Sequence, residues 1–173
     1  MPEYRELREE EISTGLFRHF IRRQEVGKCW RRENGEWKIK DAPFVDDWTP
    51  EDYKTLVRCL RRTCSSGGFV CAAFCEGELK GFVSVERGLF GGDNRYFDLS
   101  SLHVSQELRG HGIGTRLLQK ARAWAREQGA KKLYISAHSA VESQAFYRAM
   151  GCVEAQMYHP VHVAQEPFDC QLE

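Results

Sequence analysis

Between Val104 and Ile113 the hydrophobic period of this chain turns from that of a strand meander to that of a long helix, and that change constrains the fold more than any other feature of the sequence. Before it, Phe69–Cys75, Leu79–Leu89 and Tyr96–Val104 read as strands separated only by the short turns EGEL and FGGDN. Strands joined so tightly pair as an antiparallel meander. After it, Ile113, Leu117, Ala121 and Trp124 recur at helical spacing up to Gly129. Lys132–Ala137 then reads as a strand and Val141–Met150 as a helix closed by Gly151, with further strands at Val153–Tyr158 and Phe168–Leu172. A meander followed by strand–helix alternation belongs to the α/β (α+β) class. The 173 residues suffice for one domain with a full core.

The first part of the chain is less regular. Glu3–Leu7 reads as a strand. Leu16, Phe17, Phe20 and Ile21 predict a helix from about Ser13 to Gln24. Residues 27–48 read as irregular, with Trp30, Trp37, Phe44 and Trp48 among charges. Thr49 suits a helix cap, Pro50 the first helical position and Asp52 the positive helix end. Tyr53, Leu56, Val57 and Leu60 give that helix an apolar stripe to about Ser65, where Ser65, Ser66, Gly67 and Gly68 break it.

Lys plus Arg number 25 and Asp plus Glu 25, and this balance argues against a general nucleic-acid binder, which carries a basic excess. The apolar runs are too short to span a bilayer, and the charged start MPEYRELREEE lacks the apolar block of a secretory signal. The expectation is a cytoplasmic protein. Seven cysteines with no CxxC pair suit reduced thiols. Cys71 and Cys75 stand roughly 13 Å apart on one strand, and Cys59 and Cys64 are poorly spaced on a helix, so no metal is expected. His159 and His162 are taken as ordinary polar residues.

The turn at the change of period is the candidate site. Arg109, Gly110, His111, Gly112, Ile113, Gly114 and Thr115 lead from a strand into a long helix. The first N–H groups of a helix have no intrahelical partner and lie at its positive end. Without side chains in the way, an anion approaches them directly, and Arg109 adds charge. The P-loop pattern is absent, and Thr115 stands where a dinucleotide fingerprint needs its third glycine.

The spacing Arg109-x-x-Gly112-x-Gly114 instead resembles the pyrophosphate loop of the GNAT acetyltransferase superfamily. LHVSQELRGHGIGTRLLQKARAWA looks like that family's strand–loop–helix block, and AFYRAMGC, Ala145–Cys152, like its later helix. The similarity is strong from about Phe69 to Tyr158 and weak before residue 49. It implies a single GNAT-like domain over 1–173, with a mixed central sheet of about six to seven strands flanked by about four helices. Residues 69–173 would be the cofactor-binding core and 1–68 a variable, substrate-side part. The implied cofactor is acetyl-CoA, with coenzyme A as product. Its pyrophosphate would lie on Arg109 to Thr115, and its pantetheine arm along the main chain of Leu102, His103 and Val104. Tyr147 matches the family tyrosine that reaches the cofactor sulfur and can protonate a leaving thiolate. Three positions depart from the family. Ala140 replaces a common asparagine, Ser143 a common alanine and Cys152 a usual aromatic; Ser139 or Ser143 is the candidate replacement for the lost amide.

The implied reaction is acyl transfer from a thioester to a primary amine of a small molecule or peptide, by direct attack in a ternary complex. Main-chain N–H groups near Leu102–Val104 would stabilise the oxyanion. Asp98, at the place of a glutamate in the histone-acetyltransferase branch, is the first candidate base and Glu86 the second. A solvated strand carboxylate is the plain alternative for each. Trp30, Trp37 and Trp48 beside Asp46 and Asp47 would suit a cationic amine, or would simply patch the core. Two other functions stay open on the sequence. One is a non-catalytic acyl-CoA-binding module. The other is a nucleic-acid-binding regulator using Arg22, Arg23, Lys28, Arg31 and Arg32. Membrane partners are not expected, and the chain is expected to be a monomer or homodimer.

Overall fold

In the computed structural model, which describes residues 1–173, the chain forms eight strands and four α-helices. The strands are β1 (Glu3–Glu6), β2 (Arg23–Glu33), β3 (Glu36–Asp47), β4 (Phe69–Cys75), β5 (Glu78–Phe90), β6 (Tyr96–Val104), β7 (Lys132–Ala137) and β8 (Cys170–Leu172). The helices are α1 (Pro50–Ser65), α2 (Ile113–Glu127), α3 (Val141–Ala149) and α4 (Pro160–Gln165). Six strands belong to the main sheet and two to a separate hairpin, as the α/β expectation requires. The chain packs as two compact units, one of Met1–Arg23 with Asp47–Leu133, the other of Gln24–Asp46 with Tyr134–Glu173.

In the first unit the strands run in the order β1-β4-β5-β6, every neighbouring pair antiparallel. The alternation of β5 decides what packs where. Phe82, Ser84 and Glu86 point to the face covered by α1, and Gly81, Val83 and Val85 to the face covered by α2. Leu56 and Leu60 of α1 join Val70, Ala72 and Phe82 in the core. Phe17 and Phe20 complete that core, each within 5.5 Å of the Phe82 ring centre. Thr49 and Asp52 cap α1 reciprocally, main chain to side chain in both directions.

The predicted helix over 13–24 does not form. A short 3-10 turn at Thr14–Phe17 replaces it, followed by a turn at Arg18 and His19 and a short irregular link into β2. The apolar spacing that suggested a helix is satisfied by one turn, because Phe17 and Phe20 already reach the core. Residues 27–48 are not irregular either: β2 and β3 form a long hairpin. Asn34 and Gly35 make its turn, with φ of 51° and 81°. An Asn-Gly pair between two strands is a strong hairpin signal, so this feature was present in the sequence.

In the second unit β7 pairs with β8 antiparallel, from Ile135↔Leu172 to Ala137↔Cys170. Val26, Cys29 and Ala140 form a small buried cluster there. The strand predicted over Val153–Tyr158 reduces to a single bridge, Glu154↔Leu172, and the short helix α4 follows it without having been predicted. The Glu154 carboxylate bonds Arg32 and Tyr158.

Candidate active site

The loop between β6 and α2 is fixed at its base. Ser105 is fully buried, and its main-chain N–H donates to Lys80 O at 2.8 Å. Its hydroxyl accepts from Ile21 N at 2.8 Å and donates to the Glu107 carboxylate at 2.6 Å. Gln106 N returns a bond to Ile21 O at 2.9 Å. The Lys80 ammonium closes the network on Glu107 at 2.8 Å. Beyond this base the chain becomes exposed.

Gly110 and Gly112 have φ of 78° and 84°, a conformation that suits glycine. A β-carbon at either position would meet nothing within 4 Å. The protein therefore needs no glycine here for its own packing, only for the backbone turn, and the space beside both is open. Gly112 is the N-cap of α2 and supplies no side-chain cap. The first bond of the helix is Arg116 N to Gly112 O at 3.1 Å, which leaves the N–H groups of Ile113, Gly114 and Thr115 without intrahelical partners. Arg109 and His111 are exposed; Arg109 Nε donates to Val104 O at 3.2 Å, and the His111 ring lies 2.9 Å from Arg109 O. These residues make an open, positively biased N–H cradle that fits a phosphate group.

Leu102, His103 and Val104 pair with Val83, Phe82 and Gly81 of β5. Alternate residues of such a strand turn their main-chain groups to its other edge. His103 Nδ1 accepts from Arg22 Nε at 3.2 Å, so the proton of the neutral ring sits on Nε2. Burial, with Arg22 and Arg109 adding to it, holds the His103 imidazole down to about 3. It is neutral at ordinary pH, and its basic nitrogen is already engaged.

A cavity of about 440 Å³ lies between α1 and the β5–β6 face. Glu86 lines it together with Thr63, Ser84, Ser100, His103 and Trp48. Glu86 Oε1 accepts from Thr63 Oγ1 at 2.6 Å and from Ser100 Oγ at 2.8 Å. Ser84 Oγ lies 2.7 Å from Ser100 Oγ, extending the chain of hydroxyls. Ser100 reaches this position through a bulge: Ser84 pairs with Ser101 and Val85 with Leu99, so Ser100 stands outside the ladder. Asp98 is the register partner of Glu86 but is not part of the cavity wall. No signal in the sequence pointed to Thr63 or Ser100, because the bulge and the α1 contact are long-range.

Tyr147 lies in the second unit, half-buried on α3. Its distance from a glycine four residues on has a physical basis. Gly151 N donates to Arg148 O at 3.0 Å and Cys152 N to Tyr147 O at 3.0 Å, the paired bonds of a Schellman ending, with Gly151 at φ 84°. Burial pushes the Tyr147 phenol above the ordinary tyrosine range, with Cys152 and Asp169 adding to it, so the hydroxyl keeps its proton. Ala140, where the resemblance leads one to expect asparagine, is fully buried and bridges to Cys29. The Ser139 hydroxyl accepts from Arg31 at 2.7 Å, and Ser143 is half-buried in the first turn of α3.

The five cations between residues 22 and 32 all find partners within the chain. Arg22 bonds His103, Arg23 and Lys28 face Asp47 and Asp41, Arg31 bonds Ser139, and Arg32 bonds Glu154. Trp30 and Trp37 lie under Arg148 and Arg32, while Trp48 faces the cavity.

The model of the acetyltransferase (GNAT) family matches residues 30–152. The chain belongs to this family. GNAT enzymes use acetyl-CoA, and this GNAT chain is accordingly an acetyl-CoA-dependent acetyltransferase. Solved structures share its fold. Nourseothricin acetyltransferase is 19% identical with a TM-score of 0.69, covering 99% of this chain and 95% of that one. A Bacillus anthracis str. Ames protein assigned as a streptothricin acetyltransferase, solved with acetyl coenzyme A, is 16% identical with a TM-score of 0.68 and the same coverage. An aminoglycoside acetyltransferase from an uncultured soil metagenomic sample is 20% identical, with a TM-score of 0.59 and coverage of 92% and 95%. No curated protein matches the GNAT chain in sequence. No helix of the GNAT chain is long and apolar enough to cross a membrane.

Proposed function

We propose that this acetyltransferase is an N-acetyltransferase, acting on the primary amine of a small molecule or peptide by direct attack in a ternary complex. The observation that carries the cofactor half is the set of partnerless N–H groups at Ile113, Gly114 and Thr115, beside positive-φ glycines with open space around them. Arg109 to Thr115 would hold the diphosphate, and the main chain of Leu102, His103 and Val104 the pantetheine arm. When bound, the cofactor supplies an activated thioester carbonyl and a thiol leaving group. Main-chain N–H groups at the end of β6 would stabilise negative charge on the carbonyl oxygen. Tyr147 keeps its proton at neutral pH and would be the donor for the thiol leaving group.

Between the two candidate bases, the geometry favours Glu86. It lines the cavity and is held in one rotamer by two hydroxyls, whereas Asp98 does not reach the wall. His103 is unsuited to the role, since Nδ1 is occupied by Arg22. Ser143 is the proposed substitute for the family amide that Ala140 lacks.

The test pairs two measurements. Calorimetry with coenzyme A should give saturable binding, and a thiol-release assay over an amine panel should give turnover. Binding without turnover on any amine rejects the N-acetyltransferase reading; no binding to folded protein rejects the cradle.

A further inference from the structure

We propose that the cavity between α1 and β5–β6 is the acceptor site and takes a compact, hydroxyl-bearing primary ammonium, with Glu86 as its charge-recognition residue. The assignment rests on the N-acetyltransferase reading and narrows it to a substrate class.

Three features point the same way. First, Glu86 is built as a receptor. Both hydroxyl donors fall on Oε1, from Thr63 on α1 and Ser100 on the β6 bulge. They fix the carboxylate between helix and sheet, and neither bond uses Oε2. A carboxylate with one oxygen pinned and the other uncommitted to either hydroxyl matches an ammonium hydrogen. Second, the polar groups of the wall bonded to Glu86 or next to them are neutral. Ser84, Ser100, Ser101 and Thr63 offer hydroxyls, and His103 has its proton on Nε2. Neutral donors and acceptors immediately around a pinned carboxylate suit one cation flanked by hydroxyls. Third, about 440 Å³ lies toward the lower end of the roughly 300–1,000 Å³ typical of ligand pockets. A single amino sugar or a smaller amino alcohol is enclosed by such a space, which suits a compact acceptor.

The remaining charged groups at the wall do not alter this. Asp52 is committed to the Thr49 cap, and Arg62 lies on α1 with an exposed side chain. Nor does Trp48 supply a free aromatic face on both sides, since the Arg22 guanidinium lies 5.3 Å from its ring centre. The ammonium is therefore assigned to Glu86 rather than to an aromatic cage.

The experiment compares ethanolamine, glucosamine and kanamycin as acceptors for the wild type, Glu86→Gln and Ser100→Ala. Thiol release is followed with excess acetyl-CoA, and coenzyme A and glucosamine binding are measured separately by calorimetry. Glucosamine or ethanolamine should be preferred to kanamycin. Glu86→Gln should raise KM for them about ten- to hundredfold, the loss expected for a charge-assisted hydrogen bond, with coenzyme A affinity unchanged. Ser100→Ala should move KM the same way by a smaller factor. An unchanged KM in Glu86→Gln, or a preference for kanamycin, overturns the assignment. So does a loss confined to kcat with a shifted pH profile, which would make Glu86 a base alone. If no amine turns over, glucosamine binding decides separately. Binding abolished by Glu86→Gln upholds the cavity while N-acetyl transfer falls; no binding rejects both.

Discussion

A β-carbon placed on Gly81 would stand 2.8 Å from Ile113 Cγ2 and 3.1 Å from Leu117 Cδ1. The bare backbone of β5 is thus what lets the first turn of α2 settle against the sheet, and it sets the height of the N–H cradle. Both helix residues are buried and cannot swing aside. Gly81→Ala should cost about 1–3 kcal/mol of stability and weaken coenzyme A binding, measured by urea unfolding and calorimetry. A wild-type affinity in the folded variant would separate helix placement from cofactor binding.

Gly112→Ala tests the opposite case. No atom stands near the position, so only the left-handed backbone is penalised, at about 1–2 kcal/mol. Loss of coenzyme A affinity should exceed that stability cost, because the methyl group projects where the ligand must approach. Equal losses would mean the loop has merely been distorted.

The depressed His103 imidazole predicts how stability changes with pH. The unfolded chain protonates this histidine below about 6.5, while the folded protein resists down to about 3. Its stabilising effect is therefore complete above pH 6.5 and is lost as pH falls toward 3. From pH 7 to pH 5 the loss is about 2 kcal/mol. Urea midpoints at the two pH values should show a smaller difference in His103→Gln than in the wild type.

Thiol chemistry should sort by position. Burial pushes Cys71 and Cys170 up to about 11, so neither forms appreciable thiolate at neutral pH. Cys59 is exposed and lines the cavity proposed as the acceptor site. Treatment of the native enzyme with a bulky maleimide should label Cys59 ahead of the two buried thiols, read by peptide mass. The same treatment should raise KM for the amine while leaving coenzyme A binding intact, and Cys59→Ser should be protected.

Local signals carried most of the fold. The meander from Phe69 to Val104, the α1 cap at Thr49 and the helix stop at Gly151 each rest on residues adjacent in sequence, and each forms where expected. The segment 13–24 misled because period alone cannot distinguish one turn carrying Phe17 and Phe20 from a full helix. The β2–β3 hairpin was legible at Asn34-Gly35, but the charges and tryptophans around it hid the alternation. Of the candidate site, the glycine loop was readable because its chemistry is local. The pinning of Glu86 was not, since it joins Thr63, a bulged Ser100 and a strand 14 residues away from that serine. Sequence ranked Asp98 above Glu86; the preference proposed for Glu86 rests on its place in the cavity wall, which the sequence does not display.

Ile21 clasps Ser105 and Gln106, its N–H donating to the serine hydroxyl and its carbonyl accepting from Gln106 N, although it precedes the segment that family comparison recognises. A truncated enzyme beginning at residue 30 would keep every motif and still lose this mooring, together with β1 from the sheet edge. The smallest portable piece of this acetyltransferase is therefore longer than its signature, and any chimaera must bring the leading residues along with the glycine turn.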